Sequence, residues 1–515
     1  MNRKQRRASE SAGTDIAGGG QAFVQAFNTG LQLHQVGELD KAIVAYRQAL
    51  RLNPMVALLH NNYGVALYDQ GKIDEALIHQ RKAVELDPFL GIAHNNLGVT
   101  LNFMEKHEEA IVCFAKAIEI EPGNAKATNN LGDSLVKLSR FDEGLVYLRK
   151  ALALAPDYFE AYSNLGVGLW GQGKFDDAIA ALQKAISIQP NLPMARKNMG
   201  IIQLLRGKYA EGWEQYDWRF ASDKIAVPDY GVPLWLGPSL GDKTLFVWGE
   251  QGVGDEILHA SMMGDLVKHG FRVMWETDKR LVPLFQRSYP SVRVVGRGKS
   301  PADTEITPDI GAHIPSGSLG RFARSTAAHF PLARKAFLLA DQERAQAFRA
   351  SLNLAPGEKL VGISWVSKNV KFGESKSTPL AAWADILRTP GVRFVNLQYG
   401  DTSEERARLE QEHGVSVANI EDLDLREDID GVAALTAACD LVITVSNTTA
   451  HIAGALGVPV WILVPAGIGK FWYWGHEGTT TPWYPVATLI RQHHQTDWRP
   501  ELAEVQTRLA SLFCD

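Results

Sequence analysis

Two hydrophobic rhythms divide this chain. From about residue 21 to 220 the apolar positions recur at helical spacing and repeat as a block. Gly stands at 30, 64, 98, 132, 166 and 200, and Pro at 54, 88, 122, 156 and 190, each 34 positions after the last. Ala42, Ala76, Ala110 and Ala178 keep the same step, as do Ala49, Ala83, Ala117, Ala151 and Ala185. Such a block predicts paired helices that approach closely at the small residues, each second helix closed by the proline. From 242 onward short β-branched runs alternate with amphipathic segments. Strands are predicted at Thr244–Trp248, Phe271–Trp275, Val292–Val295, Lys359–Trp365, Arg393–Leu397, Leu441–Val445 and Val458–Leu463. Helices are predicted at 256–269, 279–288, 381–388, 403–412, 430–438, 449–456 and 501–513. Strand–helix alternation implies parallel sheets covered by helices.

The 34-residue unit resembles the tetratricopeptide repeat, with five full copies over about 23–192 and a partial sixth, ending in a possible aromatic cap at Trp213, Tyr216 and Trp218. The expected organisation is a disordered tail (1–20), a repeat domain (21–220), a Pro-containing linker (221–241) and two Rossmann-like lobes (242–345 and 346–515). The expected fold class is therefore α followed by α/β. One polar position also repeats: Asn28, Asn62, Asn96, Asn130, Asn164 and Asn198 share a slot in the six first helices, with Asn61, Asn95 and Asn129 beside three of them. Helices about 8–10 Å apart would present one amide to every three residues or so of an extended peptide at about 3.3 Å per residue. An amide offers a donor and an acceptor and can hold a backbone whatever its side chains. Asparagines bonded inside the array are the alternative. The column resembles the asparagine ladder of the eukaryotic O-linked N-acetylglucosamine transferase, which implies a protein substrate at Asn62, Asn96, Asn130, Asn164 and Asn198.

Composition narrows the classes. The 515 residues are 45% hydrophobic and 22% charged with a net charge of −5, which leaves no electrostatic footprint for nucleic acid. Cys113, Cys439 and Cys514 are too scattered for a disulfide framework or metal knuckle. The basic Met1–Arg7 leads into Gly- and Ser-rich sequence instead of an apolar core, and no apolar run reaches about 20 residues, so a cytoplasmic location is expected.

Two turns carry candidate chemistry. Ser446-Asn-Thr-Thr449 follows the strand Leu441–Val445 and opens a helix, which aims backbone N–H groups and a positive dipole end outward from the sheet. Gly249-Glu-Gln-Gly-Val-Gly-Asp255 lies between the strand Thr244–Trp248 and a helix, and a glycine loop there can approach an anionic ligand or another backbone closely. A ligand cleft between two such lobes is expected. The segments Trp248–Asp255, Gly362–Trp365, Asn396–Gln398, 440–463, Trp483–Pro485 and Arg491-Gln492 together resemble bacterial tetratricopeptide-linked GT-B glycosyltransferases. Their catalytic half is similar to the lipopolysaccharide heptosyltransferases, and within the group the chain most resembles enzymes that glycosylate flagellin.

The resemblance implies roles. Asp255 stands where the family places a general base, with Gly252 and Gly254 in its turn. Lys376-Ser377 matches the family's Arg-Ser position for the leaving phosphate, with Ser364, Lys368 and Lys371 nearby. Ser446, Asn447, Thr448 and Thr449 supply the helix N-terminus, His451 matches the family's helix histidine, and Gln398 ends the neighbouring strand. No metal is implied, since Asp422-Leu-Asp424 sits in an acidic run that reads as a solvated loop. Where relatives carry Asp-Thr after the strand, this chain has Ser446-Asn447. Loss of that negative charge favours a sugar that carries its own carboxylate, such as CMP-activated pseudaminic acid, over a UDP-hexosamine. The acceptor implied is flagellin. A non-catalytic adaptor with a degenerate lobe pair, and a lipopolysaccharide transferase, are the competing readings.

Overall fold

The computed structural model describes residues 20–300, 303–304, 306–333, 335–368, 373–467, 471–493 and 497–513. The tail expected at 1–20 falls outside this set except for Gly20. The chain forms two compact units, 1–195 and 196–515.

Among the described residues of the first unit ten helices make five antiparallel pairs: α1 (Gln21–Gln35), α2 (Leu39–Leu52), α3 (Ala57–Asp69), α4 (Ile73–Leu86), α5 (Gly91–Phe103), α6 (His107–Ile120), α7 (Ala125–Lys137), α8 (Phe141–Leu154), α9 (Phe159–Gly171) and α10 (Phe175–Ile188). The repeated small residues sit where the paired axes are nearest. Ala42, Ala76, Ala110 and Ala178 are wholly buried, and a Cβ on Gly98 would lie 2.6 Å from Phe114. Gly144 fills the alanine slot of the fourth repeat, where a Cβ would lie 2.9 Å from both the Gly132 carbonyl oxygen and Val136 Cγ2.

The second unit begins inside a sixth pair, α11 (Pro193–Leu205) and α12 (Tyr209–Tyr216). The expected aromatic cap is present. Trp213 is fully buried, donates its indole N–H to the Arg324 carbonyl at 3.0 Å and meets Trp472 edge-on at 5.1 Å. The stretch 221–241 is laid along the first sheet: Trp235 donates its backbone N–H to His313 at 2.8 Å, and Tyr230 packs on Phe246.

Two parallel sheets follow. The first has strands β1 (Thr244–Trp248), β2 (Arg272–Thr277), β3 (Arg293–Gly296) and β4 (Ile310–Pro315) in the order β3-β2-β1-β4. The second has β5 (Lys359–Ser364), β6 (Val392–Asn396), β7 (Leu441–Val445), β8 (Val460–Val464) and β9 (Ala487–Arg491) in the order β6-β5-β7-β8-β9. Helices pack on them, including α13 (Val253–Ala260), α14 (Gln342–Ser351), α15 (Ser403–His413), α16 (Ile429–Ala437), α17 (Thr448–Leu456) and α18 (Arg499–Phe513). Strands buried along their whole length, as β1 and β7 are, need helices on both faces, and this explains their unbroken apolar runs.

The sequence reading differs in several places, among them α14 at Gln342–Ser351, where no helix is predicted. The helix expected at 256–269 starts at Val253 and breaks at Ser261–Met262 before resuming as Met263–Lys268. β4 was not expected, because Gly311, His313 and Pro315 interrupt its apolar pattern; nor was β9, a short run behind Pro485.

Candidate active site

The carboxyl ends of β5, β6 and β7 are tied together by three of the anticipated ligand residues. Ser364 donates its hydroxyl to the Gln398 carbonyl oxygen at 3.0 Å and accepts from the Asn447 amide at 2.8 Å. The same Gln398 oxygen takes the backbone N–H groups of Trp365 and Val366 at 3.0 and 2.8 Å. Asn447 also donates to the Val366 carbonyl, and its oxygen accepts from Thr449 N–H and from the Thr444 hydroxyl, both at 3.0 Å. Asn447 is thus the N-cap of α17 and a brace between two strands. Ser446 accepts the Trp474 indole N–H at 2.8 Å, and Thr449 donates its hydroxyl to Leu397. Ser364, Gln398, Ser446, Asn447 and Thr449 are all buried. Sequence reasoning set Ser446 and Asn447 at the mouth of a sugar pocket; the structure places their side chains inside the turn, because a strand that passes directly into a helix must satisfy its own polar groups. Thr448 alone of the four keeps part of its surface open. Asn447→Ala should cost about 1–3 kcal/mol in denaturant unfolding, since it strands several buried partners at once.

His451, one turn into α17, is buried among Tyr473, Trp474 and Tyr484, with ring centroids at 4.9, 5.3 and 5.6 Å. Its Nδ1 lies 2.7 Å from the Tyr484 hydroxyl. Burial, then the nearby Lys376, pushes its pKa down to about 3, so the ring is neutral. Gly254 packs against it: a Cβ there would stand 3.0 Å from His451 Cδ2. The glycine permits close approach of α13 to α17, and the first turns of the two helices meet.

Asp255 and Lys376 lie within electrostatic reach of each other. Asp255 is in the first turn of α13, half-buried, and accepts the Gly252 N–H at 3.3 Å. Burial raises its pKa to about 6, helped by Glu250 and opposed by the Gly252 N–H and Lys376. Lys376, at the end of the short helix Gly373–Lys376, is 1% exposed, with its ammonium 3.4 Å above the centre of the Phe471 ring. Its pKa falls to about 7 through burial, with Asp255 pulling the other way. Among the described residues Lys376 has no hydrogen-bond or ion-pair partner. An ammonium enclosed without a counter-charge is costly, and such a group is suited to an incoming anion.

The other anticipated cations are placed differently. Lys368 is exposed at the edge, its backbone N–H donating to the Tyr399 hydroxyl at 2.8 Å. Lys371 lies outside the described residues. Ser377 closes its own loop, donating to the Gly373 carbonyl at 2.6 Å and accepting from Ser367 N–H at 3.0 Å. Asp424 accepts backbone N–H groups of Arg426 and Glu427, and no group of three His, Cys, Asp or Glu side chains among the described residues is arranged to hold a metal ion.

Sequence reasoning missed the groups that frame Asp255. Glu250 is buried in a two-pronged pair with Arg219, at 2.9 and 2.5 Å, and accepts Gly317 N–H at 2.9 Å. Gln251, in a left-handed conformation at φ 64°, donates to the Tyr216 hydroxyl at 2.9 Å. Tyr473 is buried beside Asp255, whose charge helps hold the phenol protonated. The aromatic cluster Phe471-Trp-Tyr-Trp474 was the available signal.

In the repeat unit the asparagine column is a hydrogen-bonded ladder. Asn96 donates to Asn61 at 2.9 Å, Asn130 to Asn95 at 3.0 Å and Asn164 to Asn129 at 3.0 Å, each bond joining successive repeats. Asn61, Asn95 and Asn129 in turn donate to their neighbours Asn62, Asn96 and Asn130. Asn96 and Asn130 therefore have one N–H and one oxygen lone pair committed and one of each left over. Asn62, Asn96, Asn130 and Asn164 are half-buried, and Asn198, in the second unit, is buried.

Comparison with known proteins agrees with the first unit. Residues 30–71 match a family model described as TPR repeat, and residues 57–90, 91–124 and 129–193 match tetratricopeptide repeat models. The chain is 36% identical over 332 residues to Protein FlbA of Caulobacter vibrioides (strain ATCC 19089 / CIP 103742 / CB 15), an alignment that takes in 60% of this chain. It spans about half of that relative's length, 53%. Among solved structures, MamA protein is 24% identical with a TM-score of 0.30, covering 33% of this chain and 93% of MamA. A thermophilic TPR protein of Thermus thermophilus is 22% identical with a TM-score of 0.31, covering 35% of this chain and 99% of its own. The protein thus contains tetratricopeptide repeats followed by a region of parallel sheets and helices. Among the described residues no helix is long and apolar enough to cross a membrane.

Proposed function

We propose that this chain is a metal-independent GT-B protein O-glycosyltransferase that moves a sugar from a nucleotide donor to a Ser or Thr hydroxyl of a protein held by the repeats. The observation that carries the reading is Lys376, a buried ammonium with no hydrogen-bond or ion-pair partner among the described residues, set near a carboxylate whose pKa is raised towards neutrality. In the transfer, Asp255 takes the acceptor hydroxyl proton as that oxygen bonds to the anomeric carbon. The bond from that carbon to the donor phosphate oxygen breaks, and Lys376 with the N-terminus of α17 meets the charge left on the phosphate. His451, neutral and enclosed, orients this helix turn. Flagellin is the proposed acceptor and the cytoplasm the proposed location, both from the family resemblance.

The donor is a nucleotide sugar, CMP-activated pseudaminic acid or a UDP-hexosamine. With Ser446 and Asn447 bonded inside the turn, the acidic sugar is favoured only by the lack of a carboxylate at Ser446. Thermal shift with CMP, UDP and GDP tests this. CMP should raise the melting temperature most, and a clear preference for UDP selects the hexosamine.

One observation favours an adaptor with a degenerate lobe pair: Ser364, Gln398, Ser446 and Asn447 are occupied by bonds within the fold. An adaptor shows no shift with any of the three nucleotides. The ladder makes a separate prediction. Asn96→Ala, Asn130→Ala and Asn164→Ala together should raise the flagellin KM about 10-fold or more while donor hydrolysis continues, because the leftover amide groups are the ones offered to the acceptor backbone. Unchanged KM makes the ladder purely a tie between repeats.

A further inference from the structure

The second helices of the repeats carry an apolar row that no core uses. Val44, Ile78, Val112 and Val146 occur 34 residues apart and are 63%, 66%, 69% and 62% exposed. Ala180 continues the row in α10, also exposed. Single exposed apolar residues need no explanation, but the same exposed slot filled by a β-branched residue in four successive helices does. Valine and isoleucine are poorer helix formers than the Ala, Glu or Lys that suit a solvated face, so packing is the remaining reason for them.

Charge flanks this row in a fixed sense. Three residues before it stand Glu75, Glu109, Glu143 and Asp177; four after it stand Lys82, Lys116, Lys150 and Lys184. Offsets of −3 and +4 put all three groups on one face of each helix. The outer face of α4, α6, α8 and α10 is thus an acidic row, an apolar row and a basic row side by side, with Lys41 and Gln48 of α2 departing from the pattern. Arg47–Glu75 at 3.9 Å and Arg81–Glu109 at 3.2 Å bridge successive second helices and hold the rows adjacent. Lys82 and Lys116 pair with Glu85 and Glu119 of their own helices at 2.7 and 2.8 Å, and Glu143 with Arg140 at 2.7 Å; all these pairs are exposed and exchangeable at little cost. Acids early and bases late in a helix also suit its dipole, so the charges alone indicate nothing. With an apolar row between them they define what the face complements.

We propose that this face docks a second copy of the same chain. A two-fold axis lying along the apolar row turns the acidic row of one copy onto the basic row of the other and lays valine on valine. A two-fold axis across the row would set acid on acid and base on base, so charge selects one of the two isologous arrangements. A partner of one sign of charge fits one flank and is repelled by the other; a second copy fits both.

Light scattering on the full chain over a concentration series tests the proposal. Wild type should reach twice the chain mass, and Ile78→Glu with Val112→Glu should return it to the single mass; both sites are on the surface, so the far-ultraviolet dichroism should not change. A wild type that stays at single mass at all concentrations overturns the proposal, as does a double variant that remains a dimer. Charge decides between self-association and another apolar partner. Glu75, Glu109 and Glu143 changed to Lys should weaken the dimer by at least about 10-fold, and adding Lys82, Lys116 and Lys150 changed to Glu should restore it. Failure of the six-fold swap to restore a dimer that the triple change removed means the rows do not face each other, and the arrangement is wrong.

Discussion

Lys376→Met should give a more stable and inactive protein. In the folded state the ammonium is enclosed on the Phe471 ring, and burial, opposed by the Asp255 charge, lowers its pKa from 10.5 to about 7. The sign follows from linkage. The unfolded chain binds the proton more tightly than the folded one, so stability rises with pH from about 7 towards the unfolded value and the penalty is in force below about 7. Methionine matches the stem and removes the charge. Unfolding free energy at pH 6 should increase by a few kcal/mol, on the order of 1.4 kcal/mol per pKa unit before relaxation, and the gain should shrink as the pH is raised. Transfer should fall by about 10²-fold or more, since a cation placed at a leaving phosphate acts most strongly where water is excluded. Urea melts at pH 6 and pH 9 beside a donor-hydrolysis assay measure both effects. A variant less stable than wild type at pH 6 would show that the ammonium has a partner.

Asp255→Asn carries the second large effect. A base must be ionised to act, and Asp255 ionises near 6 because burial outweighs the Gly252 N–H and Lys376. In the free enzyme kcat/KM should therefore rise through about pH 6 and fall again through about pH 7 as Lys376 loses its proton. Bound donor phosphate favours the ammonium, so the alkaline limb of kcat should move upward. Asp255→Asn should lower kcat by about 10²–10⁴-fold with donor affinity nearly unchanged and should erase the acidic limb. The stability sign is the reverse of a paired aspartate: with its pKa raised from 3.8 to about 6, Asp255 contributes relative stability that is complete below about 3.8 and lost as pH rises through about 6. The Asn variant should accordingly be as stable as wild type, or more so, at pH 8.

The parts of this chain legible in its sequence are those where one local cause acts alone. Ala76 and Ala110 are buried by the same helix contact in each repeat, so their period announces the pairing. Leu441–Val445 was found to the residue because Asp440 precedes it and Asn447 caps the helix behind it. Where several causes compete, the reading failed. β4 contains Gly311 and Pro315, yet it is a strand because β1 supplies its hydrogen bonds and Trp235 and Tyr230 cover it. Ser446 and Asn447 are residue types that bind ligands in open turns; in a turn crossed by Trp474 and Val366 the same groups are consumed by the fold. The isolation of Lys376 was invisible, since it depends on Phe471 and Asp255, both remote in sequence.

Nucleotide release is the most direct measure of the central claim. Wild type and Lys376→Met are each incubated with CMP-pseudaminic acid and with a UDP-hexosamine, with and without flagellin, and freed nucleotide is measured beside intact flagellin mass. The account predicts that wild type releases nucleotide from one of the two donors and adds one sugar mass per modified site, while Lys376→Met does neither. Equal release by both proteins, or none from either donor with flagellin bound, contradicts it.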